Sequence, residues 1–179
     1  VLDRLREGIE SIKDEFDVIL MDPPPALGML SLSVLRAANA IVIPAPPNNI
    51  DFGSTAHFLK MMGATLNELA RAGGARDSSF IKILATKMND GKSAHQAIKR
   101  MMDAVFPHDM LNAVLKDSAE IDNASANLAT VYELTGAATR TETQRRCRAY
   151  LDAVNSEIEL LIRKTWPSHH KSLRKEGLL

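Results

Sequence analysis

Apolar residues recur along the chain with two spacings, and these predict an alternation of helices and strands. Leu2, Leu5, Ile9 and Ile12 lie three or four residues apart among charged neighbours, as in an amphipathic helix. Nearly continuous apolar runs are typical of buried strands, and they occupy residues 16–21, 40–44, 80–86 and 110–115. Further helices are predicted over residues 30–39, 52–69 with Asp51 as a cap, 93–105, 128–134 and 141–166.

The predicted elements alternate between strand and helix, which is the pattern of an α/β fold. In that fold a parallel sheet is covered by helices on both faces. Ligands bind such sheets at the carboxyl ends of the strands. The loops after Met21, Ile43 and Thr86 are therefore where we expect the chemistry.

Asp22 is the strongest candidate for a metal-binding residue, because it follows the first apolar run at the edge of the sheet where ligands are expected. Mg²⁺ in phosphoryl-transfer sites takes one or two carboxylates and keeps several waters. The structural alternative is an aspartate that only caps the loop through backbone hydrogen bonds. Prolines at positions 23 to 25 end the run, since proline lacks the N–H donor that a central strand needs.

The composition excludes several classes of protein. A chain of 179 residues with 45% apolar residues fits one globular domain. No apolar run approaches the roughly 18 residues that span a bilayer, and the single cysteine, Cys147, can form no internal disulfide. The 22 basic and 22 acidic residues cancel, but residues 137–179 hold nine basic against five acidic ones. This asymmetry is a hint about the partners of the C-terminal part.

The proline run gives the first apolar segment a family likeness. Residues 16–28, which read FDVILMDPPPALG, resemble the Walker B and switch II segment of the ParA/MinD ATPases, which are deviant-Walker P-loop proteins. The apolar run at residues 41–44, with its proline, continues the similarity. Further segments are similar to the plasmid-partitioning RepA proteins of repABC operons, at residues 51–55, 110–122, 130–134 and 153–159.

The resemblance implies roles for particular residues. Asp22 would hold Mg²⁺ through water, and Pro23 and Pro24 would lie in the switch segment that senses the γ-phosphate. The loop that contacts the adenine base corresponds to Thr86, Lys87 and Met88, and Lys116 lies where relatives place a second base-flanking segment. For both lysines the alternative is a solvated surface side chain.

The resemblance also implies a function for the full-length protein. It would bind ATP and Mg²⁺ in an ATP-dependent homodimer and bind DNA without sequence specificity. A ParB-like centromere-binding protein would stimulate hydrolysis, and the protein would also help to repress its own operon. We therefore expect a partition protein of the bacterial cytoplasm that associates with the nucleoid.

One family feature is missing from the sequence. No Gly-rich loop of the form G-x-x-x-x-G-K-[ST] is present, and Gly91-Lys92-Ser93 lacks the first glycine. The P-loop strand and its loop are expected upstream of Val1, so this chain by itself is expected to be inactive as an ATPase. The expected organisation is the later part of an ATPase domain over residues 1–136, a basic helix packed on it over 137–166, and a flexible tail over 167–179.

Four arginines near the C-terminus form the candidate DNA-binding cluster: Arg140, Arg145, Arg146 and Arg148. Arginine presents planar donors to phosphate, and clusters of it support salt-dependent binding that does not depend on sequence. The alternative is a solvated helix face that is neutralised by Glu142 and Asp152. The family resemblance favours DNA.

Two other functions stay open at this level. A truncated, non-catalytic paralogue would keep only a DNA-binding or partner-binding surface. A MinD-like positioning ATPase would need a lipid-binding helix, but acidic residues accompany the apolar ones of the last helix. We therefore expect no membrane partner.

Overall fold

The computed structural model describes residues 2–24, 28–71, 79–134 and 141–179. Its helices are α1 (Arg4–Ile12), α2 (Met29–Ala37), α3 (Asn49–Arg71), α4 (Ser93–Val105), α5 (Ala119–Ala126), α6 (Glu142–Thr165) and α7 (His170–Lys175). Strands β1 (Ala40–Ala45) and β2 (Phe80–Ala85) form a two-stranded parallel sheet. The predicted α/β class is confirmed.

The chain divides into two compact units, and the division passes through β1, α3 and β2. The first unit consists of Val1–Ile41 and Ser54–Ile81, and the second of Val42–Gly53 and Lys82–Leu179. In the first unit α1 packs beside α2. Both Arg36 Nε and Nη2 donate to the carboxylate of Asp3, at 2.7 and 3.2 Å. These hydrogen bonds lower the pKa of Asp3.

The prediction of a first strand at residues 16–21 was wrong. The segment belongs to no strand of the structure, and Phe16, Val18 and Leu20 are exposed. A strand exists only when its backbone groups pair with a neighbour, and no backbone pairing joins this segment to the residues that the structure describes. The apolar run is therefore an irregular surface segment, with Leu20 91% exposed.

The core of the second unit lies between β2, the chain at residues 110–116 and α6. Leu84, Leu111 and Val154 are buried there. Flanking this cluster are partly buried residues, namely Val42, Ala113, Leu115, Ile158 and Leu161. A second cluster joins Ala124, Val131 and Cys147. Burial of Cys147 agrees with a small apolar role for a thiol.

Residues 110–115 run beside β2 but do not form the continuous fourth strand that we predicted. Parallel bridges join Met110 to Ile83 and Lys116 to Met88. Between the bridges the chain bends at Asn112 and Ala113. Glu157 of α6 fills the gap, because its carboxylate accepts hydrogen bonds from the backbone N–H of both bend residues, at 2.9 and 2.7 Å.

Two predicted helix positions were wrong. The helix expected at residues 128–134 lies at Ala119–Ala126, where the Ser118 hydroxyl caps it by accepting from the Glu120 N–H. Residues 128–134 form turns and irregular backbone, in which Val131 and Leu134 enter the second core cluster whereas Leu128 is 98% exposed. Helix α3 begins at Asn49, and the side chain of Asn48, not that of Asp51, accepts from the Asp51 N–H.

The C-terminal segment, which we expected to be a flexible tail, is helical in the structure. A 3-10 turn at Pro167–His169 leads into α7, whose Leu173 is fully buried. Mobility of this segment stays a prediction, as do the domain boundaries at residues 136 and 166. Within the described ranges, no helix is long and apolar enough to cross a membrane.

Candidate nucleotide and DNA-binding surfaces

The loop after β2 is fixed by backbone pairing on two sides. Thr86 donates its N–H to the Ala45 carbonyl at 3.2 Å, which ties the loop to the end of β1. Met88 donates to the Leu115 carbonyl at 3.2 Å and accepts from the Asp117 N–H at 3.0 Å. The structure therefore brings Thr86, Lys87, Met88 and Lys116 together at the carboxyl end of β2.

Lys87 has an unusual backbone in this loop. Its φ is 51°, in the left-handed region that non-glycine residues rarely adopt. The neighbouring Met88 is buried, whereas the Lys87 side chain is exposed. Left-handed backbone turns the chain sharply after the strand, so Met88 enters the core while Lys87 reaches solvent. Such strained positions are enriched at functional sites.

Lys116 is held by an aspartate that the sequence pattern did not single out. Its Nζ lies 2.5 Å from Asp90 Oδ1, and the Lys116 side chain is only 23% exposed. The Asp90 carbonyl accepts from Gln96 of α4 at 2.6 Å, and Asn89 Oδ1 accepts from the Gly91 N–H at 2.9 Å. The turn at residues 89–91 thus places the Asp90 carboxylate beside Lys116. The Asp90-Gly91 sequence predicts a turn, but it does not predict this ion pair.

Asp22 and the two described prolines lie in the first unit. Asp22, Pro23 and Pro24 are exposed and follow the irregular segment of residues 16–21. The hydroxyl of Ser31 on α2 donates to the Pro24 carbonyl at 3.2 Å. This contact ties the end of the candidate switch segment to α2. The adjoining Pro25 lies outside the described residues.

The structure separates the four candidate arginines by their surroundings. Arg148 is partly buried: its Nη2 donates to the Tyr132 carbonyl at 2.9 Å, and its guanidinium lies 5.4 Å from the centre of the Tyr132 ring. This cation–π geometry ties α6 to the turn at residue 132. Arg140 lies outside the described residues.

The other two arginines are exposed near the beginning of α6. Arg145 forms an ion pair with Glu142 at 3.1 Å. Arg146 Nη2 lies 3.4 Å from the Tyr150 hydroxyl, and this hydrogen bond is the main cause that raises the pKa of Arg146. Both guanidinium groups remain accessible to solvent, so they can reach an anionic partner, but each already has a neighbour.

The sequence also missed the polar network beneath Arg148. The Tyr132 hydroxyl donates to Asp152 at 2.7 Å and accepts from the Asn155 amide at 3.2 Å. The hydrogen bond to the carboxylate, with partial burial, raises the pKa of Tyr132. Asp152 therefore binds the tyrosine, although the sequence suggested it as a partner of the arginines. Sixteen residues separate Tyr132 from Arg148, so local spacing gave no signal.

Comparison with known proteins shows what this chain is similar to. Residues 2–71 match the family model described as an AAA domain. A protein of Rhizobium rhizogenes named "Putative replication protein A" is 30% identical over 163 residues, which are 91% of this chain and 40% of that protein. SopA of Escherichia coli K12 is 25% identical over 130 residues, 72% of this chain and 33% of its own length.

A solved structure titled "Partition Protein" matches with a TM-score of 0.59 and 25% identity, covering 83% of this chain and 38% of that chain. The chain is similar in sequence and in fold to ParA-like partition proteins. This ParA-like chain spans about two fifths of the length of the first relatives it matches.

The residues of the ParA-like chain fit the family's cofactors in part. No group of three or more potential metal ligands occurs within the described ranges. An exposed single carboxylate such as Asp22 still suits Mg²⁺, which keeps most of its waters. The triphosphate lacks a cradle here, because the 179 residues contain no Gly-rich loop. The chain thus contains the residues that the family resemblance assigns to the base and to Mg²⁺, but no Gly-rich loop for the phosphates.

Proposed function

We propose that this ParA-like chain supplies the Walker B segment, the base-flanking segments and a DNA-binding surface of a plasmid-partitioning ATPase of the RepA type. The observation that carries the proposal is the parallel pairing of Met88 with Lys116. It brings two segments that are distant in the sequence to the carboxyl end of β2. That is the edge where α/β sheets bind ligands.

The base-flanking surface, formed by residues 86–88 and Lys116, would bind a purine through its preformed shape and the fixed position of its charge. Thr86 is tied to the end of β1, and the pairing of Met88 with residues 115–117 keeps both segments at a constant separation. Asp90 keeps the Lys116 ammonium group beside the loop instead of in solvent. A purine would then lie against a preformed edge, which reduces the entropy lost on binding.

The Walker B role rests on Asp22. Bound Mg²⁺ would neutralise charge on the phosphates, and Asp22 would hold that ion through water. Pro23 and Pro24 restrict the backbone after Asp22, and Ser31 ties the Pro24 carbonyl to α2. The proposed partners are DNA, a second copy bound with ATP, and a ParB-like centromere-binding protein, in the bacterial cytoplasm at the nucleoid. Autorepression of the operon is part of the same proposal.

The test is the ATPase rate of the natural protein with Asp22→Ala, compared with Asp17→Ala. Both aspartates are exposed and lie five residues apart in the stretch between α1 and α2, so the comparison separates the effect of position from the effect of losing a charge. We expect Asp22→Ala to reduce the turnover rate by at least about 100-fold, as for the loss of a group that acts only in the transition state. Asp17→Ala should leave it within about twofold.

Equal rates in the two variants would remove Asp22 from the mechanism. A natural protein without any turnover would instead favour the non-catalytic module, in which only the DNA-binding or partner-binding surface is used. In that case, DNA binding that is independent of ATP would identify the module.

A further inference from the structure

Two side chains of α6 bind consecutive carbonyl groups of the preceding turn. Gln144 Nε2 donates to the Val131 carbonyl at 3.3 Å, and Arg148 Nη2 donates to the Tyr132 carbonyl at 2.9 Å. Because Gln144 and Arg148 are four residues apart, they lie one above the other on the same side of the helix. We refer to these two side chains and the two carbonyls as the α6 clasp. Each side chain of the clasp is anchored by one hydrogen bond.

Each side chain of the clasp also has a second polar atom that is buried. These atoms are Gln144 Oε1 and Arg148 Nε, and neither has a hydrogen-bond partner among the residues that the structure describes. Gln144 is 0% exposed. The two atoms are of opposite kinds, since an amide oxygen only accepts and a guanidinium N–H only donates. Native structures nearly always supply partners for buried polar atoms, because an unpaired one destabilises the fold.

The surroundings of the clasp increase the cost of leaving these atoms unpaired. Val131 and Cys147 are buried in the second core cluster, against which Leu151 is partly buried. The Tyr132 ring lies 5.4 Å from the Arg148 guanidinium. In apolar surroundings bulk solvent cannot replace a lost hydrogen bond, so an unpaired polar atom costs more there than at the surface.

Rearrangement of the clasp itself would not pair the two atoms without loss. A flipped Gln144 amide would point its oxygen at the Val131 carbonyl oxygen, and two acceptors repel each other. A direct hydrogen bond from Arg148 Nε to Gln144 Oε1 would require one of the two anchored side chains to move. A small group between the two atoms pairs both of them while both anchors are kept.

The chemistry of the two atoms selects the kind of group. It must accept from Arg148 Nε and donate to Gln144 Oε1, and water does both. Water also bridges polar atoms that are too far apart for a direct hydrogen bond. A halide ion could accept from the guanidinium but would leave the amide oxygen facing a negative charge. A cation would be repelled by the guanidinium.

We propose that one buried water molecule bridges Gln144 Oε1 and Arg148 Nε. The water accepts from the arginine and donates to the glutamine, so it completes the α6 clasp. Helix α6 and the turn at residues 131–132 are then joined through one continuous set of hydrogen bonds. This internal water site does not depend on nucleotide, DNA or a partner protein.

The first test is a crystal structure of the whole chain, at a resolution that shows ordered water, from crystals soaked in bromide. We expect a density peak within about 3.2 Å of both Gln144 Oε1 and Arg148 Nε, without an anomalous bromide signal. A direct bond between the two atoms would overturn the proposal, and so would the absence of a peak. An anomalous signal at the site would overturn it in favour of a halide ion.

The second test is nuclear magnetic resonance of the chain labelled with ¹⁵N at arginine. The Arg148 Nε–Hε signal is assigned by its absence from the spectrum of Arg148→Lys. We expect a nuclear Overhauser effect between this proton and water, with the sign that a long-lived buried water gives. Gln144→Met should abolish the effect, because methionine has a similar length but offers the water no amide oxygen.

Gln96→Met is the matched control. Gln96 also donates its amide to a backbone carbonyl, that of Asp90 at 2.6 Å, but it is exposed. The effect at Arg148 should persist in this variant. Absence of the effect in the wild type, or its persistence in Gln144→Met, would contradict the proposal. If Gln144→Met does not fold, the wild-type spectrum and the crystal structure decide.

Discussion

At the scale of single residues, the network around Tyr132 shows how a charged side chain changes role when the chain folds. The Arg148 guanidinium lies over the tyrosine ring while its Nη2 binds the tyrosine carbonyl. Asp152 accepts from the hydroxyl at the other end of the same ring. Three residues of two segments thus support one another, and the arginine acts as a tie between α6 and the preceding turn.

This network predicts the ionisation of Tyr132. In a Tyr150→Phe background, where Tyr132 is the only tyrosine, Asp152→Asn should move the ultraviolet titration of the phenol to lower pH. The reason is that the hydrogen bond to the Asp152 carboxylate is the main cause of the raised Tyr132 pKa. The stabilising contribution is present below the ordinary tyrosine pKa and is lost as pH rises through the raised one. An unmoved titration midpoint would show that Asp152 does not hold the hydroxyl in solution.

At the scale of elements, Glu157 explains why the chain beside β2 is bent instead of being a regular strand. Its carboxylate takes over the hydrogen bonds that a neighbouring strand would have made to Asn112 and Ala113. Because the same segment continues to Lys116, helix α6 helps to position one of the proposed base-flanking residues. Glu157 is therefore a positioning residue in that proposal.

We expect Glu157→Gln to lower the free energy of unfolding by about 1–3 kcal/mol, because the amide would leave a backbone N–H without an acceptor. Urea unfolding monitored by circular dichroism measures this change. Glu159→Gln is the matched control, as this exposed glutamate lies two residues away on the same helix. Equal effects of the two substitutions would show that the bend does not depend on the carboxylate.

The elements also show how far the sequence could predict the fold. Periodicity located α1, α2, α4, α6, β1 and β2 to within a few residues, because the spacing of their apolar residues matches one face of a helix or a buried strand. It was wrong at residues 16–21 and 128–134. An apolar residue can be buried in any backbone conformation, as Val131 is within a turn. An apolar run also forms no strand where no neighbouring strand pairs with it, as at residues 16–21 among the described residues.

The candidate sites were predictable to a lesser extent. Resemblance to a family named Thr86, Lys87, Met88 and Lys116, and the structure brings them together. Asp90, Glu157 and Tyr132 escaped notice because their partners lie 16 to 45 residues away in the sequence. Pairing at that distance is decided by tertiary packing, on which local spacing carries no information.

At the scale of the whole molecule, the affinity for nucleotide depends on which nucleotide-binding segments this chain contains. The chain contains the residues that the family resemblance assigns to a base and a metal, but its 179 residues contain no Gly-rich loop, whose N–H groups would bind phosphates. We expect isothermal titration of the 179-residue chain with Mg-ATP to show no tight binding. A micromolar dissociation constant would mean that other residues of this chain bind the triphosphate.

The irregular surface segment at residues 16–21 affects how readily copies of the protein associate. It exposes a run rich in Val, Ile and Leu whose backbone is unpaired among the described residues. Segments of this composition pair readily with copies of themselves into cross-β stacks. Asp17 is the only charge within the run and acts as a gatekeeper, since stacking in register would place identical carboxylates next to one another. Self-association of this segment should therefore increase in concentrated salt, which screens that repulsion.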